Sequence, residues 1–269
     1  MIEITTATLL TAFIVTAAAG LATVIGGFIV LATKNPQPRL LAFGLAFAAG
    51  AMVYVSLAEI LYKSTVAFAN VYGDALGFTY GNLWFLAGIF FIAAIDRIFP
   101  NPHERLNMDP SEIDGQSKEY IKRVGLMTAI AITAHNFPEG LATFFAMLES
   151  PEVGLSLAFA ITLHNIPEGV SIAIPVFFAT NNKWLAIGAC LLSGLAEPIG
   201  AGIGYLILGP HLSEAVFGAV FGVIAGVMVF LSLDELLPAA KHYSKGHETV
   251  YGLVLGMGLM ALSLIAFRF

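Results

Sequence analysis

His135-Asn136-Phe137-Pro138-Glu139-Gly140 and His164-Asn165-Ile166-Pro167-Glu168-Gly169 stand near the middles of two consecutive apolar runs, 124–148 and 154–179. About 20 apolar residues at 1.5 Å rise per residue cross the hydrocarbon core of a bilayer. Each run therefore has the length of a membrane-spanning helix, and each carries His, Asn and Glu at its centre. Outward from this pair, the same ruler places further spans near 6–31, 40–61, 80–99, 184–208, 213–237 and 249–267. Turn and polar signals separate them, among them Lys34-Asn35-Pro36, Gly73-Asp74, Ser150-Pro151, Asn181-Asn182-Lys183 and Gly209-Pro210. Residues 100–123 form the only long loop.

Composition agrees with eight spans. Of 269 residues, 58% are hydrophobic and 11% charged, less than half the charge of an ordinary soluble domain, about 25%. Mean hydropathy is +0.86. The net charge of -6 comes without a basic stripe, which excludes nucleic acid as a partner. Residues 1–10 hold no Lys or Arg and the apolar run after them is too long for a signal-peptide core, so it is expected to be a retained first span. Cys190 is the single cysteine and forms neither an internal disulfide nor a thiolate cluster.

Lys34, Arg39, Arg97, Arg105, Lys118, Lys122, Arg123, Lys183, Lys241 and Lys245 follow spans one, three, five and seven; only Lys63 and Arg268 fall on the other side. Positive charge marks the cytoplasmic face, so both termini are expected outside a cytoplasmic (inner) membrane. Two internal repeats run in opposite directions under that topology. One is the pair of H-N-x-P-E-G segments. The other relates Met52-Val53-Tyr54-Val55-Ser56-Leu57-Ala58-Glu59-Ile60-Leu61 to Met228-Val229-Phe230-Leu231-Ser232-Leu233-Asp234-Glu235-Leu236-Leu237. Antiparallel repeats of this kind belong to transporters. The expected fold is an all-α integral membrane bundle of eight helices with inverted repeats, in a 3+2+3 arrangement.

His and Glu at i and i+4 share one helix face, while Asn at i+1 turns toward a neighbouring helix. Pro at i+3 lacks an amide donor and releases the carbonyl four residues earlier; Gly lets a helix or a hydrated ion come close. His135/Glu139, His164/Glu168 and Glu197, itself followed by Pro198, all fall at mid-span. An acid there costs on the order of 2.5–3.5 kcal/mol on insertion scales. Three acids with two imidazoles and two amides call for a cation, and neutral imidazole with carboxylate suits zinc and its first-row neighbours. The set suffices for two adjacent ions with Glu139 and Glu168 between them.

Through these motifs, and through Gly194-Leu195-Ala196-Glu197-Pro198 and Ser232-Leu233-Asp234-Glu235-Leu236-Leu237-Pro238, the chain resembles the ZIP family of metal transporters, in particular its bacterial zinc uptake permeases. The resemblance covers nearly the whole length. It implies an eight-helix bundle around a binuclear site. One ion would take His135, Glu139, His164 and Glu168; the other would take Asn136, Glu139, Asn165, Glu168 and Glu197. Some members have Asp or Glu where Asn165 stands, so the second site here is less acidic. The family's loop after span three is often histidine-rich, whereas 100–123 holds only His103.

Four further acids are candidate path residues: Glu59 near the outer end of span two, and Asp96, Asp234 and Glu235 near the inner ends of spans three and seven. His211, His242 and His247 fall in loops and are expected to be solvated. Gly218, Gly222 and Gly226 make a small-residue face expected to pack within the bundle, with a homodimer as its other use. No G-x-x-x-x-G-K-[ST] segment is present, so the chain is not read as an ATPase. The expected activity is uptake of zinc, with iron, manganese, cobalt or cadmium as further substrates; no cofactor is required beyond the transported ion. The alternative is an intramembrane metalloenzyme, which the H-x-x-x-E order fits poorly because no second His follows one turn on.

Overall fold

The computed structural model describes residues 5–32, 38–98 and 118–266, and every long element among them is a helix. We label eight rods in chain order. α1 is Thr6–Ala32, and α2 comprises Pro38–Val55, a π-helical turn Ser56–Ile60, and Leu61–Tyr72. α3 is Asp74–Ile98, α4 Lys118–Glu149, α5 Pro151–Thr180 and α6 Lys183–Leu208. α7 comprises Glu214–Leu231, a second π turn Ser232–Leu236, and Leu237–Tyr243, and α8 is Glu248–Ala266. Among the described residues seven of these are apolar and long enough to cross a membrane. The chain is a multi-pass, all-α membrane bundle.

The turns follow from local chemistry. Gly73 between α2 and α3 takes φ +85°, where a side chain would be strained. Asn181 ends α5 at φ 51° in the left-handed region, and Asn182 caps α6 by accepting from the Trp184 and Leu185 amides. The Ser213 hydroxyl caps α7 by accepting from the Val216 amide.

Four rods outrun the spans drawn for them: α2 continues from 61 to Tyr72 and α7 from 237 to Tyr243, while α3 begins at Asp74 and α4 at Lys118. A hydropathy ruler measures apolar length, and Lys63, Ser64 and Thr65 end that length without ending a helix. Ser64 instead donates from Oγ to the Gly218 carbonyl of α7 at 2.6 Å. Glu59 therefore sits in the middle of α2, buried, rather than near its end. At the other boundary, Lys118–Arg123 of the expected loop belong to α4; the loop's His103 lies outside the described residues.

The rods form two groups. α1, α4, α5 and α6 all pack on one another. α2 packs on α3, α7 and α8, and α3 on α7; the groups meet where α2 touches α5 and α4 touches α7. These contacts are paired as a 3+2+3 repeat requires. α1 on α5 matches α6 on α4, and α2 on α8 matches α7 on α3. Both π turns fall within the repeated segments of α2 and α7. A π turn inserts one residue and is common at functional sites. Gly218, Gly222 and Gly226 face Phe68, Trp84 and the Phe85 carbonyl, so this face is used inside the bundle.

Candidate metal centre

α4 and α5 continue through Pro138 and Pro167 without a break. Their i, i+4 pairs meet at the centre of the first group. Ligand atoms of Glu139, His164 and Glu168 lie within 4.8 Å of one another, and His164 Nε2 is 3.1 Å from Glu139 Oε1. His135, one turn before Glu139, has its Nε2 3.7 Å from Glu235 Oε2 on α7. His135, Asn136, Glu139, His164, Asn165, Glu168 and Glu197 are all buried.

The asparagines show what the site is built to accept. Asn136 Nδ2 donates to the Ser193 carbonyl at 3.1 Å. Asn165 Nδ2 donates to the Ala19 carbonyl at 2.9 Å and to Glu197 Oε1 at 2.6 Å. Both amides thus turn their nitrogen to protein. Among the described residues no hydrogen bond reaches either Oδ1, either carboxylate oxygen of Glu139 and Glu168, or Glu197 Oε2. A buried polar atom left unpaired costs about 1–3 kcal/mol, more when charged, and the three carboxylates also interact through space. Acceptor oxygens thus outnumber the N–H and O–H donors left to meet them, the inventory of a cation site. Imidazole with carboxylate oxygen suits a first-row divalent ion.

The glycines that close both motifs bring helices together. A Cβ at Gly140 would strike the Glu197 carbonyl, and one at Gly169 the Thr23 carbonyl. Backbone contact at these two points sets how near α6 and α1 stand to the ligands.

A family model described as ZIP Zinc transporter matches residues 99–264, more than half of the chain. The chain belongs to the ZIP zinc transporter family. It is 67% identical over 269 residues to the zinc transporter ZupT of Xanthomonas axonopodis pv. citri, covering 100% of this chain and 99% of that protein. With the ZupT of Stenotrophomonas maltophilia strain K279a identity is 65% over 257 residues, 96% of each chain. With that of Lysinibacillus sphaericus it is 48% over 261 residues, 95% of this chain and 97% of the relative. Membership in a transporter family sets aside the metalloenzyme.

For this ZIP chain, the structure thus gathers Glu139, His164 and Glu168, joins Asn165 to Glu197, and turns His135 toward Glu235. Asp96 and Asp234 are electrostatic neighbours of Glu235, as is His135, so three of the four candidate path acids fall together. Glu59 lies in the matching π turn of α2. His211 and His247 are exposed, and nothing is described of the His242 side chain. Cys190 is buried and donates from Sγ to the Gly169 carbonyl at 3.3 Å. Two features escaped the sequence reading. The approach of Glu235 to His135 joins residues a hundred positions apart and has no local signal. The other was legible: Gly20-Leu21-Ala22-Thr23-Val24-Ile25-Gly26 of α1 repeats Gly194-Leu195-Ala196-Glu197-Pro198-Ile199-Gly200 of α6.

Proposed function

We propose that this chain carries zinc across the cytoplasmic membrane into the cytosol through a binuclear site. His135, Glu139, His164 and Glu168 hold one ion; Asn136, Glu139, Asn165, Glu168 and Glu197 hold the other. The observation that carries the reading is the buried convergence of Glu139, His164 and Glu168, where acceptor oxygens outnumber donors. Relatives named as zinc transporters over their full length support zinc as the substrate. Iron(II), manganese, cobalt and cadmium share the ligand chemistry and compete. The membrane potential suffices as a driving force: a divalent cation gains about 4.6 kcal/mol on entering a cell 100 mV negative inside, at about 2.3 kcal/mol per charge. Asp96, Asp234 and Glu235 receive the ion from His135 on the cytoplasmic side, and Glu59 serves the outer approach. The decisive experiment is zinc uptake into proteoliposomes containing only this protein, with a negative interior. Accumulation above protein-free vesicles is expected, and its absence sinks the reading.

The outer and cytoplasmic approaches assigned above rest on both termini lying outside. An impermeant thiol reagent applied to intact cells is expected to label cysteine placed at Glu152 or Ser213 and to spare cysteine at Lys183. Labelling at Lys183 alone would invert the topology.

Protons and metal compete for the same lone pairs, because imidazole binds when neutral and carboxylate when ionised. Zinc affinity of the purified protein is expected to fall as pH is lowered from about 7.5 to about 5, the range in which these groups protonate, with protons released on binding. Affinity unchanged across that range would remove His135 and His164 from the ligand set.

A further inference from the structure

The contacts around the centre come in matched pairs. Asn165 donates to the Ala19 carbonyl, and Asn136 to the Ser193 carbonyl. Gly169 abuts the Thr23 carbonyl, and Gly140 the Glu197 carbonyl; Gly26 abuts the Ile166 carbonyl, and Gly200 the Phe137 carbonyl. Gly20 and Gly194 face each other's carbonyls. Every pair exchanges when α1 is swapped for α6 and α4 for α5. Under that exchange the counterpart of Glu197 is Thr23.

Thr23 is fully buried, and its Oγ1 has no hydrogen-bond partner among the described residues. A helical threonine usually gives its hydroxyl proton to the carbonyl four residues back. Thr11, Thr79, Thr162 and Thr180 do so here. For Thr23 that carbonyl is Ala19, which accepts from the Asn165 amide instead. Like the buried Thr16 and Thr143 hydroxyls it has no hydrogen bond among the described residues, but it alone of the three sits where the other half of the site places a carboxylate.

We infer that Thr23 is a further member of the second metal site, which it serves through a metal-bound water held by its Oγ1 on the side of Asn136. This rests on the reading that the second ion lies among the two asparagines and Glu197. A threonine side chain is two bonds shorter than glutamate. Glu197 reaches Asn165 at 2.6 Å, whereas no hydrogen bond joins Thr23 to Asn136. A water fills such a gap, as it does at some positions of calcium loops. The centre is thereby asymmetric, with a fixed carboxylate at one end of the second ion and an exchangeable water at the other. The exchangeable end is where ligand replacement begins when the ion leaves.

The test is stepwise zinc titration of the purified full chain in detergent, alongside uptake by proteoliposomes. Thr23→Val keeps the shape and removes the hydroxyl. It should weaken the second binding step by about threefold to tenfold and leave the first unchanged, with Thr23→Ser falling between Thr23→Val and the natural residue. Thr23→Glu completes the symmetric carboxylate pair; it should tighten the second step by about tenfold or more while lowering the maximal rate of uptake. Identical second-step affinity for Thr23→Val, Thr23→Ser and the natural protein overturns the inference, whether or not Thr23→Glu folds. Glu197→Gln, titrated beside them, separates the two levels. If it weakens the second step while Thr23→Val does not, Thr23 alone is ruled out. If neither affects that step, the placement of the second ion fails as well.

Discussion

Replacing Glu168 by Gln is expected to abolish zinc uptake, while Glu197→Gln reduces it and leaves one binding step intact. Loss of an outer-shell partner alone typically costs 10–100-fold in metal affinity or activity, so removing a carboxylate that the proposed site shares between both ions should cost more than roughly 100-fold. Glu168 has both oxygens buried and free of hydrogen bonds and lies in one cluster with Glu139 and His164. Glutamine keeps the volume and substitutes an amide donor that faces only acceptors. Glu197, by contrast, accepts from Asn165 through Oε1 and in the proposed arrangement belongs to the second site alone. Zinc titration of the two variants decides the matter. Two binding steps in each, with equal and mild losses of uptake, would mean that no carboxylate is shared.

The other large effect comes from residues that touch no metal. Gly140→Ala and Gly169→Ala each place a methyl group against backbone of the facing helix, the Glu197 and Thr23 carbonyls respectively. Backbone has no rotamer by which to yield. Overpacking of this kind costs typically 1–3 kcal/mol, and here it also displaces residues of the second site. Both variants should unfold at lower temperature in detergent and lose most uptake. Gly258→Ala is the control: no atom lies within 4 Å of its added Cβ, and alanine gains up to about 1 kcal/mol of helix propensity over glycine. Thermal unfolding followed by fluorescence compares the three. If Gly140→Ala matched Gly258→Ala, the close approach of α4 to α6 would be wrong.

The exposed pair Arg39–Glu248, at 3.3 Å, invites no such forecast, since solvent screens it. Lys63 and Glu149, 2.8 Å apart and mostly buried, tie α2 of one helix group to α4 of the other.

The primary structure by itself determined the all-helical membrane class, because a chain with 11% charge cannot solvate itself in water and apolar length maps directly onto bilayer thickness. It determined the pairing within each motif too, since an i, i+4 spacing on a helix puts His164 beside Glu168 without help from any other element. The family resemblance was legible for the same reason: its signature lies in contiguous segments. The repeat of 20–26 in 194–200 was equally present in the letters, but Thr opposite Glu hides it from a search for charged groups. What only the tertiary structure decided depends on crossing geometry. It turned His135 toward Glu235, carried α2 past Lys63 to Tyr72, and aimed the Asn136 and Asn165 donors at the carbonyls of α6 and α1. It also left Thr23 without its usual helical acceptor. None of these has a local signal, because each is set by how closely glycine backbones allow two helices to meet. That distance is a property of both helices at once.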